Sequence, residues 1–186
     1  MTTDSTATDE TDKIIALPLA EVVDGDTLRF VRTYATTPAG LWELLTTPAG
    51  WAWCRAMEAD LKPGGAFVLQ FDETDSMEGT IIELEPERRL VLRWLEVGRE
   101  PGAEPVYRAD SVLRLELEPV PGGTQLTLLH QHLDAESAIG FGAGWHSILG
   151  KLAAVVDGEP WNDTSLFAAV LPLYQDLIAR TFPPEP

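Results

Sequence analysis

Three histidines are the side chains best able to do chemistry in this sequence. His130 and His132 stand two apart in TQLTLLHQHL. On an extended strand both rings point to one face, together with Leu126 and Leu128. His146 follows in a stretch with helical spacing. Two histidines at i and i+2 can converge on a metal if a third ligand comes from elsewhere. On a helix, however, Trp145 and His146 point about 100° apart. If Trp145 turns to the core, His146 turns to the flank, so no metal centre is expected. His130, His132, Tyr107, Glu96 and Asp110 are also the candidates for general acid–base work. No catalytic pattern joins them, so no catalytic residue and no cofactor is assigned. The histidines read as satisfied core groups or as polar handles at a ligand pocket.

Cys54 is the only cysteine. It cannot form an intrachain disulfide, which fits a reducing compartment. Arg55 is the one basic neighbour that could activate it, so an inert thiol is expected. Trp51 and Trp53 read as anchors of a short helix, and Asp72–Asp75 as a solvated hairpin tip.

Strands and one long helix must position these groups. Ile14–Val23 is apolar but contains Pro18, which suits an edge strand. Asp24-Gly25 then signals a hairpin into Thr27–Tyr34. Thr37-Pro38 and Thr47-Pro48 each open a short helix, the threonine as cap and the proline in the first turn. The second helix is expected to carry Trp51, Trp53 and Cys54. A turn at Lys62–Gly65 leads to alternating strands at Ala66–Phe71, Gly79–Glu85 (Thr80, Ile82 and Leu84 on one face), Arg89–Val97 and Tyr107–Glu118. Pro121–Gly123 turns the chain into TQLTLLHQHL. A loop of small residues should follow, then a helix over Gly144–Val156 with Trp145, Ile148, Leu149, Leu152, Val155 and Val156 along one stripe. Beyond a stop at Asp157-Gly158, Asn162 or Asp163 caps a further helix over about Thr164–Arg180, and Pro172 predicts a kink or break in it. Thr181–Pro186 reads as a tail.

The chain has 186 residues, with 13 Lys and Arg against 30 Asp and Glu, a formal net charge of −17. So few cations disfavour nucleic acid and anionic membrane surfaces as partners. The polar, acidic Met1–Lys13 reads as a disordered tail. It lacks the features of a signal or transit peptide. No transmembrane run is read from the sequence, and a cytoplasmic location is expected.

Five stretches in this order resemble the START-like (Bet v 1-like, SRPBCC) superfamily: TLRFVRTYATTPAGLWELLTTPAGWAWC, LKPGGAF, EGTIIELEPERRLVLRW, GGTQLTLLHQHL and GWHSILGKLAAVVDG. They span about Leu17–Gly158. More closely, the chain is similar to the family named for the C-terminal domain of the activator of Hsp90 ATPase. The resemblance implies an α+β helix-grip fold: a curved antiparallel sheet wrapped around a long C-terminal helix, with two short helices after the first strand. On this reading residues 14–158 are expected to form the domain, and 159–186 an extra helical extension packed on it.

A sheet that grips a helix can leave a cleft between them. Its expected lining is Phe67, Phe71, Ile82, Leu92, Trp94, Tyr107, Leu113, Leu128, His130, His132, Phe141, Trp145 and Leu149. The functional reading is a pocket for a small hydrophobic or aromatic molecule; the competing one is that these side chains simply fill the core. Two other roles stay open. One is contact with a chaperone or other protein, related to Hsp90 ATPase activation or stress response. The other is a polyketide cyclase-like enzyme. A monomer or a homodimer is compatible with the sequence.

Overall fold

The computed structural model describes residues 11–159, 161 and 166–182. The expected helix caps Asn162 and Asp163 lie outside the described residues, as do most of the acidic tail and all but two residues of the C-terminal one.

Residues 11–15 form a helical turn, so the strand expected over Ile14–Val23 is confined to β1 (Glu21–Val23), which makes a hairpin with β2 (Thr27–Tyr34). Asp24 and Gly25 turn it with φ of 54° and 79°, the left-handed region that Asp-Gly turns favour. Next comes helix α1 (Pro38–Thr46), where the Thr37 side chain accepts from the Gly40 N–H at 3.2 Å. The second expected helix is only a 3₁₀ turn, Pro48–Trp51. The Thr47 hydroxyl donates back to the Glu43 carbonyl and caps nothing ahead of it. Trp53 and Cys54 therefore sit in the connection to a strand not foreseen, β3 (Ala56–Ala59).

From β3 the chain meanders back through β4 (Ala66–Gln70), β5 (Asp75–Glu85), β6 (Arg89–Gly98), β7 (Val106–Val120) and β8 (Gly123–Gln131). The sheet order is β1-β2-β8-β7-β6-β5-β4-β3, antiparallel throughout. Alternation sets its faces. Leu113, Leu115 and Leu117 on β7 and Leu126, Leu128 and His130 on β8 are buried. The outer face carries ion pairs instead, such as Arg93 to Asp110 at 2.7 Å and Arg89 to Glu116 at 3.2 Å.

The register of β5 departs from simple alternation. A bulge between Ile81 and Glu83 shifts the pairing with β6, since one extra residue reverses the faces. Ile81 is buried, whereas Ile82 points outward, 49% exposed.

Helix α2 (Ala135–Val156) starts nine residues before the expected Gly144. His132, with φ of 65°, ends β8, and Asp134 caps the helix by accepting from the Ser137 N–H at 2.7 Å. The small residues expected to form a loop are thus its first turns. Ala138, Ala143, Trp145, Leu149 and Leu152 of this helix are buried in the same apolar core as the inner face of the sheet. A curved antiparallel sheet around a long helix is the helix-grip fold. By length and composition α2 could cross a membrane, with a mean hydropathy of 1.3 over its most apolar window, half of it buried. The origin is simple: a helix gripped by a sheet on one side and by a second helix on the other is apolar nearly all round.

The second helix is α3 (Phe167–Thr181), continuous through Pro172. Val170, Tyr174 and Ile178 recur at i, i+4 and i+8 and are buried on both sides of the proline, and packing against α2 holds the two parts in one element. Gly142 is the contact point: a Cβ there would stand 2.2 Å from the Tyr174 ring. The Tyr174 hydroxyl accepts from the Ala20 N–H at 3.1 Å and lies 3.2 Å from His146 Nδ1. His146 Nε2 is 2.8 Å from the Ile14 carbonyl. His146 thus serves the flank, as the helical geometry predicts.

Candidate functional site

Along most of its length the sheet meets α2 and the core is filled. Phe67, Leu92, Leu113 and Leu128 are fully buried, and Leu149 is 3% exposed. These five expected cleft residues are packed core. Near the N-terminal half of α2 the two layers separate. The cavity between them, of about 600 Å³, is lined by Phe71, Trp94 and Glu96 from the sheet, Trp53 from the turn before β3, and Ser137, Phe141, Trp145 and Ile148 from α2. Asp134, Glu136 and Phe167 stand at its edge, and Gly140 and Gly144 complete the helical wall.

The structure therefore brings Phe71, Trp94, Phe141 and Trp145 of the expected lining to one cavity and leaves others elsewhere. Ile82 is turned outward by the β5 bulge. Tyr107, at the start of β7, is 63% exposed. His132 leaves the strand at its positive φ and lies outside, where Nδ1 is 3.4 Å from Asp26. Trp53, Ser137, Gly140, Gly144, Ile148 and Phe167 were not foreseen. Trp53 was read as a helix anchor, a role that Trp51 takes by donating to the Leu45 carbonyl at 2.9 Å. In the fold Trp53 stacks on Phe71 at 5.5 Å and 18°, a pairing across 18 residues that local spacing does not reveal.

His130 lies behind the cavity wall. The Trp145 indole N–H donates to its Nδ1 at 3.0 Å. An indole nitrogen can only donate, so the imidazole proton sits on Nε2 and is given to the Ser111 hydroxyl at 2.7 Å. That hydroxyl reaches the Trp94 carbonyl at 3.5 Å. Phe141 covers the ring at a centroid distance of 4.1 Å. Burial without a countercharge pushes the His130 pKa down to about 3, because desolvation penalises the imidazolium. The ring is neutral at physiological pH and both nitrogens are engaged. It orients Trp145 and is not poised to take a proton from a ligand.

The other acid–base candidates diverge from it. Asp110 is exposed, and the Arg93 guanidinium lowers its pKa by hydrogen bonding. Glu96 shares the inner face of β6 with Trp94 and reaches the cavity. His146 faces Ile14 and Tyr174, on another side of α2 from His130. Among the described residues no three His, Cys, Asp or Glu side chains form a group that could hold a metal ion. Cys54 is half-buried, and desolvation pushes its thiol up to about 12, the opposite of activation.

Three tryptophans thus wall the cavity, and they differ in one respect. The N–H of Trp145 is used within the protein, whereas the buried Nε1 atoms of Trp53 and Trp94 have no acceptor among the described residues. Each such unpaired donor costs about 1–3 kcal/mol.

Residues 35–157 match the model of the family described as activator of Hsp90 ATPase homolog 1-like protein. Among curated proteins no match is found. Among solved structures, the chain is similar to CalU16 from Micromonospora echinospora, with 25% identity over 82% of this chain and 86% of that one and a TM-score of 0.64. EF2215 from Enterococcus faecalis is 13% identical, with 95% and 98% of the chains covered and a TM-score of 0.67. DynU16, described as a putative protein in the dynemicin biosynthetic locus, is 23% identical, with 74% and 50% covered and a TM-score of 0.61. The last two likenesses show the shared fold.

Proposed function

This chain belongs to the activator of Hsp90 ATPase homolog 1-like family, and from that premise we propose that it binds a small, flat, largely apolar molecule between the N-terminal half of α2 and the sheet. The observation that carries this reading is the aromatic cavity itself. A fold that packs Phe67, Leu92, Leu113 and Leu128 without exposure leaves about 600 Å³ open beside Trp53, Phe71, Trp94, Phe141 and Trp145. Small-molecule sites have that size and that mostly apolar lining. Binding is favoured over proton transfer because His130 is neutral and fully engaged.

Native mass spectrometry of the chain purified from its own host, compared with the denatured chain, tests the proposal. A reproducible co-purifying mass supports it and reveals the ligand class. The cavity can also be plugged. A side chain at Gly140 meets nothing within 4 Å, so Gly140→Leu should abolish the extra mass and the binding of an apolar fluorescent probe. A wild-type chain that carries no mass and binds no probe would refute the proposal.

A role in contact with another protein, the reading the family description invites, rests on a different feature. Val106 and Tyr107 are adjacent and exposed, 57% and 63%, at the start of β7.

A further inference from the structure

Residues 11–20 run from a helical turn to the start of β1. Their own backbone bonds are local: the Ala16 N–H donates to the Asp12 carbonyl and the Leu17 N–H to the Ile14 carbonyl, each at 3.0 Å. Among the described residues, three side chains from three elements bond this backbone to the rest of the fold. His146 of α2 meets the Ile14 carbonyl, Arg32 of β2 donates to the Pro18 carbonyl at 2.7 Å, and Tyr174 of α3 accepts from the Ala20 N–H. Ile14 and Leu17 fill a notch that Gly150 leaves on α2. A Cβ there would stand 2.5 Å from Ile14 Cγ2 and 3.2 Å from Leu17 Cδ1. The segment is thus docked on the fold by side chains, without a place in the ladder of the sheet.

The directions of these bonds are forced. A carbonyl can only accept, so His146 carries its proton on Nε2 and gives it to Ile14. Its Nδ1 is then a lone pair, which accepts from the Tyr174 hydroxyl at 3.2 Å. The Tyr174 oxygen in turn accepts from Ala20. One relay therefore begins and ends on the docked segment, and it needs a neutral imidazole. A second proton, on Nδ1, would set an N–H against the Tyr174 O–H and turn that hydroxyl from its acceptor.

The surroundings of His146 also resist charge. The residue is fully buried. Desolvation lowers its pKa, the bond to Ile14 opposes this, and the Arg32 guanidinium lowers it further. Tyr174 faces it from α3. The Tyr34 hydroxyl of β2 is committed to the Leu149 carbonyl, and Lys151 of α2 lies over the Trp161 ring. Asp12 and Lys13, on the docked segment itself, are exposed. No carboxylate pairs with His146 or with Arg32 among the described residues.

We propose that residues 11–20 are an acid-released strap: protonation of His146 detaches the segment from α2, β2 and α3 while the sheet stays folded. With the strap lifted, the ring is open to water and titrates at its ordinary value near 6.5. Below that pH the open form binds a proton that the closed form refuses, so acid favours opening. His146 lies on another side of α2 from the cavity, and the strap does not depend on the proposed function.

Amide exchange of the ¹⁵N-labelled full chain at pH 7 and pH 5, corrected for the intrinsic rate at each pH, tests this. The Ala16, Leu17 and Ala20 amides should lose about tenfold in protection between the two. At both pH values they should stay less protected than Leu113 and Leu115 of β7, because the opening is local. The resonances of the strap amides should move with the same midpoint as the His146 ring. His146→Gln keeps a donor for the Ile14 carbonyl and cannot charge, so its strap protection should be flat over this range. If that variant does not fold, the wild-type midpoints decide: strap amides that follow a different midpoint from the His146 ring would overturn the proposal. Strap amides that keep their protection at pH 5, or that exchange only together with Leu113 and Leu115, would overturn it as well. A loss in His146→Gln as large as in the wild type would assign the release to another group.

Discussion

The indole N–H of Trp145 donates to Nδ1 of His130 across 3.0 Å, tying the gripped helix to the central strand β8. This bond fixes the imidazole tautomer and keeps the ring neutral inside the core. The first prediction concerns pH. The His130 pKa is about 3 in the fold and about 6.5 in an unfolded chain. Between those values the unfolded state holds a proton that the folded state does not. Stability is therefore complete above pH 6.5 and falls as pH drops toward 3, by up to about 1.4 kcal/mol per pH unit. His146, lowered first by desolvation, adds in the same direction. Urea midpoints between pH 7 and 4 should show this slope, and His130→Leu should flatten it by about one proton. That variant should also lose about 2–4 kcal/mol at pH 7, because it leaves the Trp145 donor and the Ser111 acceptor without their partner. An unchanged slope would assign the pH dependence to other groups.

Gly142 and Gly144 stand two residues apart on α2 and should respond with opposite sign. Alanine is the better helix former by about 1 kcal/mol. At Gly144 a Cβ meets nothing within 4 Å, so Gly144→Ala should stabilise the chain by about 0.5–1 kcal/mol. At Gly142 the Cβ would stand 2.2 Å from the Tyr174 ring, and overpacking of that kind costs about 1–3 kcal/mol. Denaturant midpoints of the two variants check the contrast.

Tyr174→Phe keeps the ring against Gly142 and removes the hydroxyl that accepts from Ala20. It also leaves His146 Nδ1 without that contact. A loss of about 1–2 kcal/mol is expected. Hydrogen exchange at the Ala20 amide should quicken more than exchange in the centre of β7. Equal protection of Ala20 in both proteins would show that the hydroxyl does not hold the N-terminal segment.

Cys54, its pKa raised to about 12 by burial, should resist a thiol reagent such as Ellman's at pH 8. The reaction should be at least about a hundredfold slower than in the urea-unfolded chain, where an ordinary thiol ionises near neutral pH. Rapid labelling of the native protein would contradict that burial.

The strands were legible because a half-buried antiparallel strand must alternate: Leu113, Leu115 and Leu117 could be assigned inward from their spacing alone. The family resemblance, carried by the order of five stretches, pointed to the helix-grip arrangement. What the pattern could not show were local irregularities that reverse or end an element. The bulge at Ile81/Glu83 turns Ile82 outward, and the left-handed backbone of His132 breaks a strand that the pattern would have continued. The glycines before Trp145 read as a loop because glycine is a poor helix former. They are helical because Gly142 makes room for Tyr174, a contact 32 residues away that no local rule contains. The same limit governed the site. Periodicity tells which face a side chain takes, and all of Phe67, Leu92, Trp94 and Leu128 face inward. Only the curvature of the sheet against α2 decides where along that face the layers touch, leaving Leu92 packed, and where they part, leaving Trp94 beside an open cavity.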